Sequence, residues 1–320
     1  MKNKNGVMSV NAIIEKITEQ IQEGIYPGAS LALYRNGQWS EHYLGLADPE
    51  KGEPVVADLV YDLASVSKVV GVATICAFLY AKGELALDRP FKEFYPRFAH
   101  EKTTIRELLT HTSGLDPFIP NRDQLDARQL KTALENLQLK EDKSFHYTDV
   151  NFLLLGFWLE DRFHQPLDRL FDELIFTPWK MTETRFGPVE KAVPTVRGLA
   201  SGSVHDPKAR VLGCHAGSAG LFSTVPDLER FLEHYLKEDF ARDLSQNFAR
   251  EEGKTRALGW NLEGEWLDHT GYTGTFIMYN RKSQEAVIFL SNRTYEKDER
   301  AQWILDRNSL MDLIKQEFEK

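Results

Sequence analysis

The spacing of hydrophobic residues predicts a helix and then a β-hairpin at the start of the chain. Residues 10 to 23 place apolar side chains at helical intervals, and the glycine and proline residues of 24 to 28 then end the helix. Two β-prone segments follow, Ser30 to Tyr34 and Gln38 to Leu46. Asn36-Gly37 joins them, and this dipeptide tolerates positive φ at both central positions of a tight turn.

The rest of the chain is predicted to be helical in its middle and strand-forming near its end. From Ser65 to about Pro226 the apolar spacing is mostly helical, with stops at proline and glycine. The pattern then becomes strand-like, and from about Ala301 to Phe318 it has the period of an amphipathic helix. The strand-like segments lie at Trp266, Phe276 to Asn280 and Ala286 to Ser291.

The two chain ends mirror each other: the chain begins with a helix followed by strands, and it ends with strands followed by a helix. This arrangement predicts an α/β (α+β) fold, with an antiparallel sheet formed by both chain ends and flanked by the terminal helices. We expect one domain over residues 1–320, with a sheet lobe of residues 1–64 plus 255–320. An inserted, mostly helical lobe would span residues 65–254, and a ligand is expected in the cleft between the lobes.

Composition and charge narrow the function classes. The net charge of −9 disfavours nucleic acid and anionic membranes as partners, because both would repel the average surface. The apolar run Val69 to Tyr80 is too short to span a bilayer and predicts a buried helix. The first residues lack the apolar run of a secretory signal, and Cys76 and Cys214 fit reduced thiols, so a cytoplasmic location is expected.

Ser65 and Lys68 are the first candidates for chemistry. Their spacing before an apolar helix predicts that both side chains share one helix face. A serine hydroxyl needs a neighbouring base to become a good nucleophile, and a lysine serves when burial or positive neighbours keep it neutral. The alternative is a helix-capping serine beside a solvated lysine. However, the eleven residues from Val69 to Leu79 carry no charge, so a charged Lys68 would need a partner.

Tyr147 precedes the apolar run Phe152 to Leu159, so its phenol can project from the start of a helix. A phenol near an ammonium group can relay protons between nucleophile, leaving group and water. A tyrosine at a helix start is otherwise a packing residue, so its candidacy depends on meeting Ser65 in space.

The segment His269 to Thr275 lies where a strand is expected to begin. Gly271 and Gly274 would let its backbone approach a ligand closely. Its amides could complete an oxyanion hole with the amide of Ser65, and His269 offers a donor or a cation near physiological pH. In isolation, H-T-G is more typical of a surface turn.

Together the three segments resemble the motif set S-x-x-K, Y-x-N and K-T-G of the serine β-lactamase and penicillin-binding protein superfamily. The resemblance is to its class C-like esterase and penicillin-binding protein 4B-like branches, and it covers roughly Gly28 to Arg293. Further similar segments are Leu108 to Leu115, Val204 to Asp206, Ala216 to Thr224 and Leu290 to Arg293.

This resemblance implies a role for each matching position. Ser65 would be the nucleophile, Lys68 its base and Tyr147 the proton relay. The remaining matches are His269, Thr270 and Gly271 for K-T-G, Asp149 for the substrate-contacting asparagine, and Tyr272 for the second oxyanion amide.

Two residues depart from the family pattern. Asp149 stands where the family has asparagine, and His269 stands where it has lysine. An acidic Asp149 is expected to repel acids, and His269 carries full charge only below about pH 6.5. Both departures weaken antibiotic hydrolysis and favour esterase-like substrates. The chain also has no match to the general-base glutamate of class A β-lactamases, so water activation would fall to Tyr147 and Lys68.

Two other arrangements are weaker. Gly217-Ser218-Ala219-Gly220 resembles a nucleophile elbow, but G-x-S-x-G would need glycine at position 216, which is Ala216. A zinc site is disfavoured because the spacing of the candidate ligands matches no common pattern. Those candidates are His205, Asp206, Cys214 and His215.

We therefore predict a class C-like serine hydrolase that acts through an acyl-enzyme on a small ester or amide, without a cofactor or a metal. A D,D-peptidase or weak β-lactamase is the second hypothesis, with cell-wall peptides or β-lactam-like molecules as substrates. A non-catalytic ligand binder with the same cleft is the third. The oligomeric state stays open.

Overall fold

The computed structural model describes residues 10–250 and 254–320. Within those ranges the strands are β1 (Gly28–Arg35), β2 (Gln38–Asp48), β3 (Glu53–Pro54), β4 (Tyr61–Asp62), β5 (Arg185–Phe186), β6 (Leu221–Ser223), β7 (Asn261–Glu263), β8 (Trp266–Thr270), β9 (Phe276–Asn280) and β10 (Glu285–Ser291). The helices are α1 (Val10–Gln22), α2 (Thr74–Ala81), α3 (Phe91–Phe94), α4 (Ile105–Thr110), α5 (Ala127–Glu135), α6 (Val150–Phe163), α7 (Leu167–Phe171), α8 (Pro207–Leu212), α9 (Val225–Lys237) and α10 (Arg300–Phe318).

Both chain ends contribute to one seven-stranded sheet. Its order is β3-β2-β1-β10-β9-β8-β7, and the pairs are antiparallel. Strand β1 joins the two ends, since it pairs with β2 on one side and with β10 on the other. The predicted fold class is therefore confirmed. The exact lobe boundaries stay a prediction.

The centre of the sheet is buried on both faces, as the side-chain alternation of β1 shows. Leu31 and Leu33 pack into the cluster that contains Ile17 of α1 and Ile314 of α10. Ala32, between them, belongs to the larger cluster formed with the middle helices. Full burial of a leucine side chain stabilises the fold by roughly 1.5–3 kcal/mol, so the terminal helices are held mainly by such contacts.

The hairpin between β1 and β2 has the predicted turn. Arg35 pairs with Gln38, which leaves Asn36 and Gly37 as the two turn residues. Their φ angles are 55° and 81°, so both adopt the left-handed conformation that this turn needs.

A small second sheet was not predicted. Strands β4, β6 and β5 pair in that order and hold the segment before Ser65 against the helical part. Strands of two or three residues are too short to show a hydrophobic alternation.

The apolar helical segment Ala64–Ala81 is long and apolar enough to cross a membrane by length and composition. However, 78% of it is buried inside the fold, which is typical of a core helix. It begins irregularly, with a 3₁₀ turn at Ala64–Val66 and a π-helical turn at Val69–Ala73 before α2.

Candidate active site

Ser65 lies in the 3₁₀ turn directly after β4, in a backbone held by hydrogen bonds on both sides. The Leu63 amide donates to the Leu221 carbonyl over 2.9 Å. One carboxylate oxygen of Asp62 accepts from the Ala64 amide at 2.8 Å. Ala64 has a φ of 45°, which is strained for a residue with a Cβ. The serine is therefore presented on a tight turn that its neighbours enforce.

Lys68 is fully buried, and its ammonium group uses all three of its donors. Nζ lies 2.8 Å from Ser65 Oγ, 2.7 Å from Asp149 Oδ1 and 2.9 Å from the Ser218 carbonyl oxygen. Burial lowers the pKa of Lys68, but the Asp149 carboxylate outweighs burial and the net pKa is raised. In the resting site Lys68 is thus a charged donor to the Ser65 hydroxyl.

Asp149 is shared by two lysines. Its second oxygen lies 3.1 Å from Nζ of Lys208, which is itself 3.7 Å from Asp206. Burial raises the pKa of Asp149, but Lys68 and then Lys208 outweigh it, so the net pKa is lowered. The expectation that Asp149 repels acids does not hold for this resting geometry, because two ammonium groups neutralise its carboxylate.

Tyr147 lies beside Lys68 at the start of α6. The Lys68 Nζ is 5.2 Å from the centre of the tyrosine ring. The ring contacts His111 at a centroid distance of 4.6 Å and faces His269 at 6.1 Å. Tyr147 is 37% exposed, so its phenol is accessible from the cleft. The structure therefore brings the serine and the lysine of one segment together with the tyrosine of a distant second segment.

The turn between β8 and β9 is fastened to the serine turn. Thr273 Oγ1 donates to the Asp62 carbonyl at 2.9 Å, and Thr275 Oγ1 donates to the Leu63 carbonyl at 3.1 Å. A Cβ on Gly271 would lie 2.1 Å from Thr275 Oγ1 and 2.6 Å from the Leu63 carbonyl oxygen. Glycine is therefore required here for the close approach that places Tyr272 next to Ser65 in both adjoining cavities.

His269 is buried and neutral, so of the two expected roles, a donor or a cation near physiological pH, the structure disfavours the cation. Burial, followed by the charges of Lys68 and Arg256, lowers its pKa well below the ordinary value. Nδ1 lies 3.1 Å from the Thr270 carbonyl, which can only accept, so the proton is assigned to Nδ1. Nε2 is then an acceptor, and within the described ranges it has no hydrogen-bond partner.

Ser65 lies between two cavities. The larger one, of about 730 Å³, is lined by Asp149, Lys208 and the exposed Phe118. The smaller one, of about 210 Å³, is lined by His269 together with a group of cations that the sequence analysis missed. These cations are Lys254, Arg293, Arg300 and Arg307.

The smaller cavity has an excess of donors and positive charge. In the part of the chain that the structure describes, no acid forms an ion pair with Lys254, Arg300 or Arg307. The pKa values of Lys254 and Arg307 are lowered, mainly because both side chains are buried. The buried atoms Arg293 Nη2 and Trp303 Nε1 lack hydrogen-bond partners among the described residues. An anionic group bound in this cavity would pair with these cations.

Three of the four zinc candidates make separate contacts elsewhere. Asp206 caps α8 through the Ala209 amide, and His215 bonds to Glu160. His205 stacks on Tyr272 at a centroid distance of 5.5 Å. Among residues 10–250 and 254–320, no group of three or more His, Cys, Asp or Glu side chains is arranged to hold a metal ion.

Comparison with known families agrees with this geometry. The model of the Beta-lactamase family matches residues 13–310, which is most of the chain. The chain belongs to the β-lactamase family. The resemblance predicted from the three motifs is thereby confirmed.

Individual relatives within the β-lactamase family are distant. An Escherichia coli (strain K12) protein with the provisional name D-alanyl-D-alanine carboxypeptidase is 26% identical, and the alignment covers 90% of this chain and 83% of that protein.

Two solved structures have the same fold. The β-lactamase/D-alanine carboxypeptidase from Pseudomonas syringae has a TM-score of 0.77 at 21% identity, and the match covers 96% of this chain and 98% of that one. The hydrolase EstCE1, described as having promiscuous acyltransferase activity, has a TM-score of 0.74 at 20% identity. The match covers 95% of this chain and 97% of that one.

Proposed function

We propose that this β-lactamase-family protein is a serine hydrolase that forms an acyl-enzyme at Ser65 with a small ester or amide. The observation that carries the proposal is the 2.8 Å contact between Lys68 Nζ and Ser65 Oγ beside an accessible cleft. A buried ammonium that donates to a serine hydroxyl stabilises the developing alkoxide, because the opposite charge lies within hydrogen-bond distance.

Lys68 and Tyr147 divide the proton transfer between them. The resting Lys68 already donates to three acceptors, so it must release a proton before it can act as the base. Tyr147 lies against the same ammonium and is open to the cleft, so once its phenol has given up its own proton to solvent, the phenolate is placed to take the Ser65 proton and pass it to the leaving group. The same two groups would then activate the water that releases the acyl group.

The oxyanion that forms on the attacked carbonyl would be held by the amides of Ser65 and Tyr272. The close packing of Gly271 on the serine turn supports this role for Tyr272. Both residues line both cavities, which makes their amides the candidates to hold the oxygen of a carbonyl bound between the cavities.

The smaller cavity, called the cationic cavity below because Lys254, Arg293, Arg300 and Arg307 line it, favours substrates that carry an anionic group. Lys254, Arg300 and Arg307 lie where one end of a substrate would extend from Ser65. This observation also favours a second candidate function, D,D-carboxypeptidase activity, because a peptide that ends in a carboxylate would place that charge in this cavity. The provisional name of the Escherichia coli relative is compatible with it.

Turnover assays test the proposal and separate the two candidates. The substrates are a neutral p-nitrophenyl ester, the same ester with a carboxylate on its acyl group, nitrocefin and a peptide that ends in D-Ala-D-Ala. We expect the anionic ester to be the best substrate, with no turnover of any of them by Ser65→Ala. Ser40→Ala, in the distant strand β2, is the matched control and should behave like wild type. Turnover that persists in Ser65→Ala would refute the function.

A further inference from the structure

Lys208 is placed unusually for a lysine. It lies in the first turn of α8, where the helix dipole disfavours a cation, and its side chain is only 14% exposed. Its ammonium lies 3.1 Å from Asp149 Oδ2 and 3.7 Å from Asp206 Oδ2. Asp149 Oδ1 is meanwhile 2.7 Å from Lys68. One carboxylate therefore joins two ammonium groups, one of which touches the nucleophile.

We propose that Lys208 is a positioning residue for the proposed reaction. It binds the second oxygen of Asp149, so the negative charge of that carboxylate is shared between Lys208 and Lys68. The inference rests on the proposed function, and it adds a residue that acts through Asp149 and Lys68 without touching the reacting atoms. The segment that carries Lys208 is itself anchored, since the amide of His205 donates to the buried Asp62 carboxylate over 2.7 Å.

The positive charge of Lys208 affects the base in one direction. A nearby cation favours the deprotonated form of Lys68. Removal of the charge leaves Lys68 and Asp149 as an isolated neutral pair, so the base binds its proton more tightly and needs a higher pH to be free. The other titratable and charged side chains that line the cavity beside this group are Tyr147, Tyr272, Asp116, Asp206, Asp298, Arg122, Arg300 and His205, and the substitution leaves them unchanged.

The pH dependence of kcat for the p-nitrophenyl ester tests this role from about pH 5 to about pH 10. Lys208→Met should lower kcat by roughly tenfold near pH 6, with the deficit shrinking as the pH rises and with KM nearly unchanged. Lys208→Arg keeps the charge and should restore most of the activity. Lys208→Gln removes the charge but can still donate a hydrogen bond to Asp149. It should therefore show the same pH-dependent loss as Lys208→Met.

Lys315→Met is the matched control, because Lys315 is as buried as Lys208 at 13% exposure but pairs with Glu263. Its pH profile should superimpose on that of wild type. A Lys208→Met or Lys208→Gln profile that superimposes on wild type would overturn the inference. So would an equal loss at every pH that Lys208→Arg fails to restore. Ser65→Ala is measured in parallel. Turnover that persists in Ser65→Ala would refute the proposed function itself. If Ser65→Ala has no turnover but the pH profile of Lys208→Met is unshifted, only the role of Lys208 is refuted.

Discussion

The carboxylate of Asp149 lies 2.7 Å from the ammonium of Lys68, and this ion pair sets the charge state of the site. The lysine is fully buried, so it depends on Asp149 for its charge. A family asparagine at this position would accept a hydrogen bond but supply no charge. The proton on Lys68 is therefore held more firmly than the motif alone implies.

Asp149→Asn should make the site active at lower pH. Loss of the negative charge lowers the pKa of Lys68, since Asp149 is the main cause of its upward shift. The deprotonated base is then available at lower pH, and the acid limb of the acylation rate should move down by about one pH unit or more. Asp149→Glu keeps the charge and serves as the control. An acid limb that stays in place in Asp149→Asn contradicts this account.

His269→Ala should weaken substrate positioning more than chemistry. His269 is neutral, and its ring lies near Tyr147 in the wall of the smaller cavity, so its loss should loosen the fit of the substrate: we expect KM to rise several-fold and kcat to change less. Because the pKa of His269 lies well below its ordinary value, wild-type activity should show no gain as the pH falls through about 6.5. His164→Asn is the control, since asparagine tolerates the left-handed conformation of His164. A larger fall in kcat than rise in KM would argue against a positioning role.

The cationic cavity should discriminate between charged and neutral substrates. Lys254→Met and Arg307→Met should each lower kcat/KM for the anionic ester by about tenfold, because a hydrogen bond to a charged group is lost. The neutral ester should be nearly unaffected. Lys282→Met, which removes a lysine paired with Glu265 outside the cavity, controls for net charge. Equal losses with both esters would show that these residues do not recognise an anion.

Asp62 should make the stability depend on pH with an unusual sign. Burial raises its pKa to about 6, although hydrogen bonds from His205 and Ala64 oppose the shift. A raised pKa means that the folded state binds the proton more tightly, so this contribution is present below about pH 4 and is lost as the pH rises through about 6. The loss is about 3 kcal/mol. Asp62→Asn should abolish this term in denaturant unfolding at the two pH values.

Asp48→Asn is the control for that measurement. Asp48 also accepts two backbone amides, but its pKa is lowered, first by Lys51, so it should contribute the opposite sign. If the free energy of unfolding of wild type and Asp62→Asn changes equally between about pH 4 and about pH 7, the raised pKa is refuted.

The fold was predictable because its main signals are local. The β-prone residues of the first two strands and the Asn36-Gly37 turn define the hairpin, and the helical period defines both terminal helices. The small sheet of β4, β5 and β6 was not predictable, because its strands are too short for a pattern. It nevertheless positions Ser65, so one determinant of the site lies outside what hydrophobic periodicity can reveal.

The residues of the candidate site could be predicted from the sequence, but their charge states could not. Ser65, Lys68 and Tyr147 follow from ordered motifs, and the structure brings them together. The charge states depend on which side chains converge from distant segments. Lys208 follows the noticed Val204-His205-Asp206 by two residues, but nothing local indicates that it reaches Asp149.

The cations of the smaller cavity were missed for the same reason. Arg307 belongs to a helix whose pattern indicates only packing, and Lys254 lies in a segment without a motif. The expected cytoplasmic location stays a prediction, and the oligomeric state stays open.

Intact-mass analysis with peptide mapping tests the central claim most directly. The protein is treated with a fluorophosphonate and, in a rapid quench, with the p-nitrophenyl ester. We predict one adduct per chain, mapped to Ser65, in wild type and in Ser40→Ala, and none in Ser65→Ala. An adduct on another residue, or an undiminished adduct in Ser65→Ala, would contradict the account.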